Sequence, residues 1–180
     1  MLEASPGGAA GDDMEPERGC GTCTMCCKVM GVMALQKPEG TWCAHCKIGQ
    51  GCGIYETRPE ECRTFGCLYL SDPKFPDKYR PDRLKIVFFL ADGGDRVGAM
   101  VDPGQPDAWR TPEAYGLIKR MASAAVPLGK VVVVYVKGEM TVVMPDRDVP
   151  MGRFSLDKKI AYATVGTGPL ARLEPVLVDA

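Results

Sequence analysis

The sequence predicts an α+β protein in which an irregular, cysteine-rich metal-binding module packs on a small antiparallel β-β-α-β-β lobe. Three observations predict it. All nine cysteines fall between Cys20 and Cys67, the stretch that holds them lacks any sustained helical or strand period, and the residues beyond carry strand, strand, helix, strand, strand signals in that order.

Residues 1–18 combine glycines and acidic residues with almost nothing large and apolar, so they read as a disordered tail that cannot bury enough surface to offset the cost of ordering. Met14, just ahead of the first cysteine, competes with Met1 as the translation start. Residues 19–70 form the cysteine module. Their glycines supply tight turns, and metal replaces an apolar core there. One short helix is expected after Thr57, where Thr57-Arg58-Pro59-Glu60 has capping-box spacing, and it would carry Cys62. Residues 71–82 contain Pro73, Pro76 and Pro81 and read as an extended linker lying over the surface.

The small α+β lobe spans residues 83–152. Leu84 to Leu90 and Arg96 to Val101 flank the turn-forming Asp92-Gly93-Gly94-Asp95, which predicts a hairpin. Thr111 caps a helix with Pro112 at its first position, running to about Ala125 before Pro127, with Leu117, Ile118 and Met121 buried. Lys130 to Val136 and Met140 to Met144 make a second hairpin around Lys137-Gly138-Glu139. Val131 to Val134 do not alternate with polar residues, so this strand should be covered on both faces, by the helix and by the cysteine module. Residues 153–180 are a C-terminal tail, partly ordered, with a brief helix around Leu156 to Tyr162.

Charge narrows the function. The chain has 180 residues, 22 Lys and Arg against 23 Asp and Glu, and its basic residues are dispersed, which argues against a nucleic-acid partner. No stretch approaches the roughly 20 apolar residues of a membrane span, and Met1 to Arg18 lack secretory-signal character, so the expected location is cytoplasmic with no membrane partner. A reducing compartment and an odd cysteine count both favour metal ligation over disulfides. With His45 the sole histidine, hydrolase triads are excluded; glycine-rich phosphate loops are also lacking. Asp146-Arg147-Asp148 reads as a loop with too few oxygen ligands for calcium.

Thiolates select zinc, iron–sulfur clusters or copper(I). The Cys20-x-x-Cys23-x-x-Cys26 spacing matches three ligands of a ferredoxin-type cubane, whereas Cys43-x-x-Cys46 is a zinc-type pair. Two tetrahedral zinc ions take eight thiolates, and three take nine if three bridge. Cys26 and Cys27, facing opposite ways on an extended backbone, point to two metals or a bridged cluster. Thioethers of Met25, Met30 and Met33 leave copper open.

The run Cys20-x-x-Cys23-x-x-Cys26-Cys27, Cys43-x-His45 and Cys52-Gly53-Ile54-Tyr55-Glu56-x-Arg58-Pro59-x-x-Cys62-Arg63-x-Phe65-x-Cys67 resembles the zinc- or iron-chelating CxxCxxCC-domain proteins, the cysteine-cluster family. It is more distantly similar to the cysteine-rich part of flagellin lysine methylases. The resemblance implies Cys20, Cys23, Cys26, Cys27, Cys43, Cys52, Cys62 and Cys67 as ligands, and for the methylases an iron–sulfur centre. Cys46 stands where the family more usually has an apolar residue, so it is an added ligand or a free thiol. His45 is a further ligand or a neighbour of one. Arg58, Arg63, Lys28 and Lys47 are the candidate cations around the anionic centre, and Tyr55 and Phe65 its walls.

The reading is therefore a metal-binding protein holding zinc or an iron–sulfur cluster as a structural or interaction module, its sheet lobe offering a surface to a protein partner. Its alternatives are an iron–sulfur redox enzyme and a zinc or copper carrier or sensor.

Overall fold

The computed structural model describes residues 18–153, 155 and 158–179. The tail of residues 1–17, with Met14, lies outside the described residues. In the cysteine-rich part, helix α1 (Met25–Val29) precedes a two-stranded ladder, β1 (Cys46–Lys47) and β2 (Gly51–Cys52). Three short helices follow: α2 (Glu60–Thr64), α3 (Leu68–Ser71) and α4 (Pro81–Leu84). Strands β3 (Ile86–Ala91) and β4 (Arg96–Val101), helix α5 (Pro112–Ala125), and strands β5 (Val131–Val136) and β6 (Glu139–Val143) give the expected β-β-α-β-β order. The chain continues with β7 (Asp148–Arg153), β8 (Lys158–Val165) and β9 (Arg172–Asp179).

The α+β class holds. Strands β3 to β7 form one five-stranded sheet in chain order, antiparallel at every pair except β4–β5, which is parallel and bridged by α5. That single parallel pair departs from the antiparallel expectation. A parallel neighbour needs a crossover, and the 14-residue helix α5 supplies it. The Thr111 hydroxyl accepts a hydrogen bond from the Ala114 N–H at 3.4 Å, and Pro112 occupies the first turn. Between β5 and β6, Lys137 and Gly138 both take positive φ, the conformation a two-residue hairpin turn requires.

Both faces of β5 are covered. Val132 and Val134 join Ile86, Phe88 and Ile118 beneath α5, where each buried aliphatic or aromatic side chain contributes about 1.5–3 kcal/mol. Val131, Val133 and Tyr135 face the other way and meet Ile160 and Tyr162 of β8. The second cover of the valine strand is thus the β8–β9 hairpin, while the cysteine module covers the neighbouring β3–β4 region through Met25, Val29, Cys67, Val87 and Met100. The helix expected around Leu156 to Tyr162 is instead strand β8 from Lys158, and the unassigned tail pairs with it as β9. Pairing with a strand that comes later in the chain overrides a local helical preference. Leu156 itself lies outside the described residues.

Residues 71–82 do more than link. Phe75 and Tyr79 are buried in the core beneath α5, where the Phe75 ring contacts those of Tyr79 and Phe88. Arg18, at the edge of the tail, donates to the carbonyls of Tyr69, Asp72 and Phe75 and so ties the chain to this segment. Lys28 on α1 pairs at 2.6 Å with the buried carboxylate of Asp102, just past β4, which locks the module to the sheet. Among the described residues no helix is long and apolar enough to cross a membrane.

The Phe89 ring lies across Gly98 on the adjacent strand and contacts Phe65 of the module and Tyr135 of β5. A methyl at Gly98 would sit 2.3 Å from that ring. The Gly98→Ala variant should therefore lose about 1–3 kcal/mol in urea unfolding by displacing Phe89. In a Phe89→Leu background the same substitution should cost less, since the obstructing ring is gone.

Candidate metal centre

Short segments of different local structure bring the cysteines together. The Cys23 N–H bonds the Cys20 carbonyl at 2.8 Å, closing the first Cys-x-x-Cys turn. Cys26 and Cys27 lie on α1 rather than on an extended backbone, contrary to expectation. Successive helical residues diverge by only about 100°, so both side chains reach one cavity. Cys43 is tied to α1 by its N–H on the Cys27 carbonyl at 3.0 Å, and Cys52 sits on the β1–β2 ladder. Cys62 rides on α2, as anticipated, although Pro59 takes the N-cap position and no side chain caps the helix. Cys67 precedes α3, and its backbone bridges to Phe89 at the sheet edge.

The outcome is one cavity of about 170 Å³ lined by Cys20, Cys23, Cys26, Cys27, Cys43, Cys52, Cys62 and Cys67. Its apolar side is built from Phe65, Leu70 and Val87, so the sheet edge contributes to the wall. All nine cysteines are free thiols. Among the described residues no three His, Cys, Asp or Glu side chains converge as they would on a single ion. Tetrahedral zinc needs sulfurs about 3.8 Å apart, from a Zn–S bond of about 2.3 Å.

Cys46 and His45 are not among the cavity-lining residues. His45 is exposed, and its role in the fold is its carbonyl, which accepts from the Gly53 N–H at 2.8 Å. Of the candidate cations only Arg58 lines the cavity, its guanidinium 3.8 Å from the centre of the Tyr55 ring. Lys28 is committed to Asp102, Arg63 reaches the Glu56 carbonyl, and Lys47 is exposed. Tyr55 and Phe65 both line the cavity, with Tyr55 46 % exposed. Of the three methionines, Met30 lines it, Met25 is buried in the packing against the sheet, and Met33 is 87 % exposed.

A residue overlooked in the sequence is Lys37, which lines the cavity and is only 8 % exposed. Its one signal was isolation, a lone lysine closing the uncharged stretch Val29 to Gln36. Burial lowers its pKa, and the nearby Cys43, Cys27, Cys26 and Cys62 act in the opposite sense.

Burial raises the pKa of Cys20, Cys62 and Cys67, with neighbouring thiols adding to the shift at Cys20 and Cys62. Cys27 is raised chiefly by its contact with Cys26 and then by burial. Burial pushes Cys46 up to about 11, and its contact with Cys27 adds to this. A metal bound by these thiols would have to displace their protons. Comparison with known proteins gives no matching family model, no similar curated protein and no similar solved structure.

Two outcomes are expected. Cys46→Ser should leave the metal content of purified protein unchanged, whereas serine at Cys27 or Cys62 should lower it, as read by elemental analysis. In protein stripped of metal, whatever stability remains should be constant below about pH 9 and fall as pH rises towards about 11, because the unfolded chain releases the Cys46 proton that the folded state retains. Urea midpoints across that window check the sign.

Proposed function

We propose that this protein holds a polynuclear metal centre in the eight-cysteine cavity, and that the centre is an iron–sulfur cluster acting as the inorganic core of residues 19–70. The observation that carries the reading is that eight cysteines line one partly apolar cavity. Inorganic sulfide and iron fill the space between separated thiolates, which a lone zinc ion does not. The Cys20, Cys23 and Cys26 spacing and the distant likeness to flagellin lysine methylases support the same reading, while the likeness to the cysteine-cluster family supports chelation of zinc or iron alike.

When bound, such a cluster supplies folding energy and a one-electron couple. The protein's own residues do the rest. Phe65, Leu70 and Val87 exclude water from one wall, and Arg58 presents a cation at another. Free thiols throughout suit a reducing, cytoplasmic setting. The role that follows is a metal-stapled module docked on the sheet lobe.

A thiolate-bridged zinc cluster is the second reading, favoured by the sulfur count. Eight cysteines exceed the four that one cubane uses.

Anaerobic purification followed by metal and acid-labile sulfide analysis separates the two. Brown protein with iron and sulfide is expected. Colourless protein with about two or three zinc ions per chain would move the assignment to the zinc cluster. A fully folded chain devoid of transition metal would end both.

A further inference from the structure

Lys37 reaches the cavity wall through an unusual local path. Gln36 adopts a left-handed conformation at φ 49°, and Val32 and Lys37 exchange both backbone hydrogen bonds, at 2.9 and 3.0 Å. This tight loop turns the lysine inward. Its ammonium then donates to the carbonyls of Lys28 at 3.1 Å, Pro38 at 3.2 Å and Met30. Those contacts use all three N–H donors.

No carboxylate among the described residues lies within ion-pair distance of this ammonium. Glu61, which also lines the cavity, turns its carboxylate to the N–H groups of Met33 and Ala34, at 2.8 and 3.3 Å. A buried ammonium costs several kcal/mol unless an opposite charge compensates it, and carbonyl dipoles do only part of that work. The thiols that line the same cavity, among them Cys26, Cys27, Cys43 and Cys62, are the groups that would carry negative charge as metal-bound thiolates. A metal centre with an excess of thiolates is itself an anion, so the two deficits cancel.

Resting on the reading of the cavity as a metal–thiolate site, we propose that Lys37 is the built-in countercharge of the bound centre, a positioning residue that strengthens its retention and raises its reduction potential. The competing role is purely structural. Lys37 closes the end of α1 by binding the carbonyls of Lys28 and Met30, and a cap of this kind affects stability without touching the charge of the centre.

The test compares the wild-type chain with Lys37→Gln, which keeps N–H donors but removes the charge, and Lys37→Arg, which keeps the charge. Each is purified anaerobically, analysed for iron, zinc and sulfide, and titrated spectroelectrochemically. Lys37→Gln should disfavour reduction by at least about tenfold, a fall of about 59 mV for a one-electron couple, with Lys37→Arg close to wild type. Loss of the cluster from Lys37→Gln alone also supports the proposal. An unchanged potential in Lys37→Gln, or equal loss of the cluster from both variants, overturns it and leaves the capping role.

If the wild type carries zinc, chelator competition replaces the titration. Lys37→Gln should then release metal at about a tenfold lower chelator concentration, and identical release curves overturn the proposal. Wild-type protein without metal sinks the underlying reading instead, and it is recognised before any variant is compared.

Discussion

The first third of this protein is arranged around a single cavity lined by eight cysteines. Residues 18–70 bury few large apolar side chains, and those they do bury, Met25 and Val29 foremost, are spent on docking against β3. Nothing comparable fills their own interior. The loops between the cysteines are held instead by backbone hydrogen bonds, such as Cys43 on Cys27 and Gly53 on His45, each of which contributes only about 1 kcal/mol. The proposed inorganic centre would supply further cohesion there.

The sheet serves this arrangement at one edge. β3 is the outermost strand of the five, and an open edge of this kind invites pairing with other chains. Here the backbone at Cys67 bridges to Phe89, and Val87 forms part of the cavity wall. Cavity and sheet edge therefore cover each other. The ion pair of Lys28 with Asp102 and the tilted contact of the Phe65 and Phe89 rings fix the relative position of the two parts.

Much of the lobe was legible because its signals are local. Thr111-Pro112 starts α5, Pro127 follows its end, and Lys137-Gly138 turns β5 into β6. What escaped is set by distant partners. Spacing reveals that β4 and β5 are strands but not that they lie side by side in parallel, and β8 becomes a strand only because β9 pairs with it. The cavity follows the same division. The eight lining cysteines are the set that the family resemblance implied, but the placing of Cys46 and His45 off the wall and the inward turn of Lys37 arise in two separate loops whose geometry no motif encodes.

The order of synthesis gives the cavity wall a temporal meaning. Every thiol precedes Val87 in the chain, so all of them leave the ribosome before the strand that backs them exists, and domains emerging first also begin folding first. For the interval in which residues 86–101 are being made, the nascent segment is a loose set of reactive sulfhydryls open to oxidants and to any available ion. Loading of the proposed centre would then compete with misreaction until the β3–β4 hairpin is complete and Val87 is in place behind the thiols.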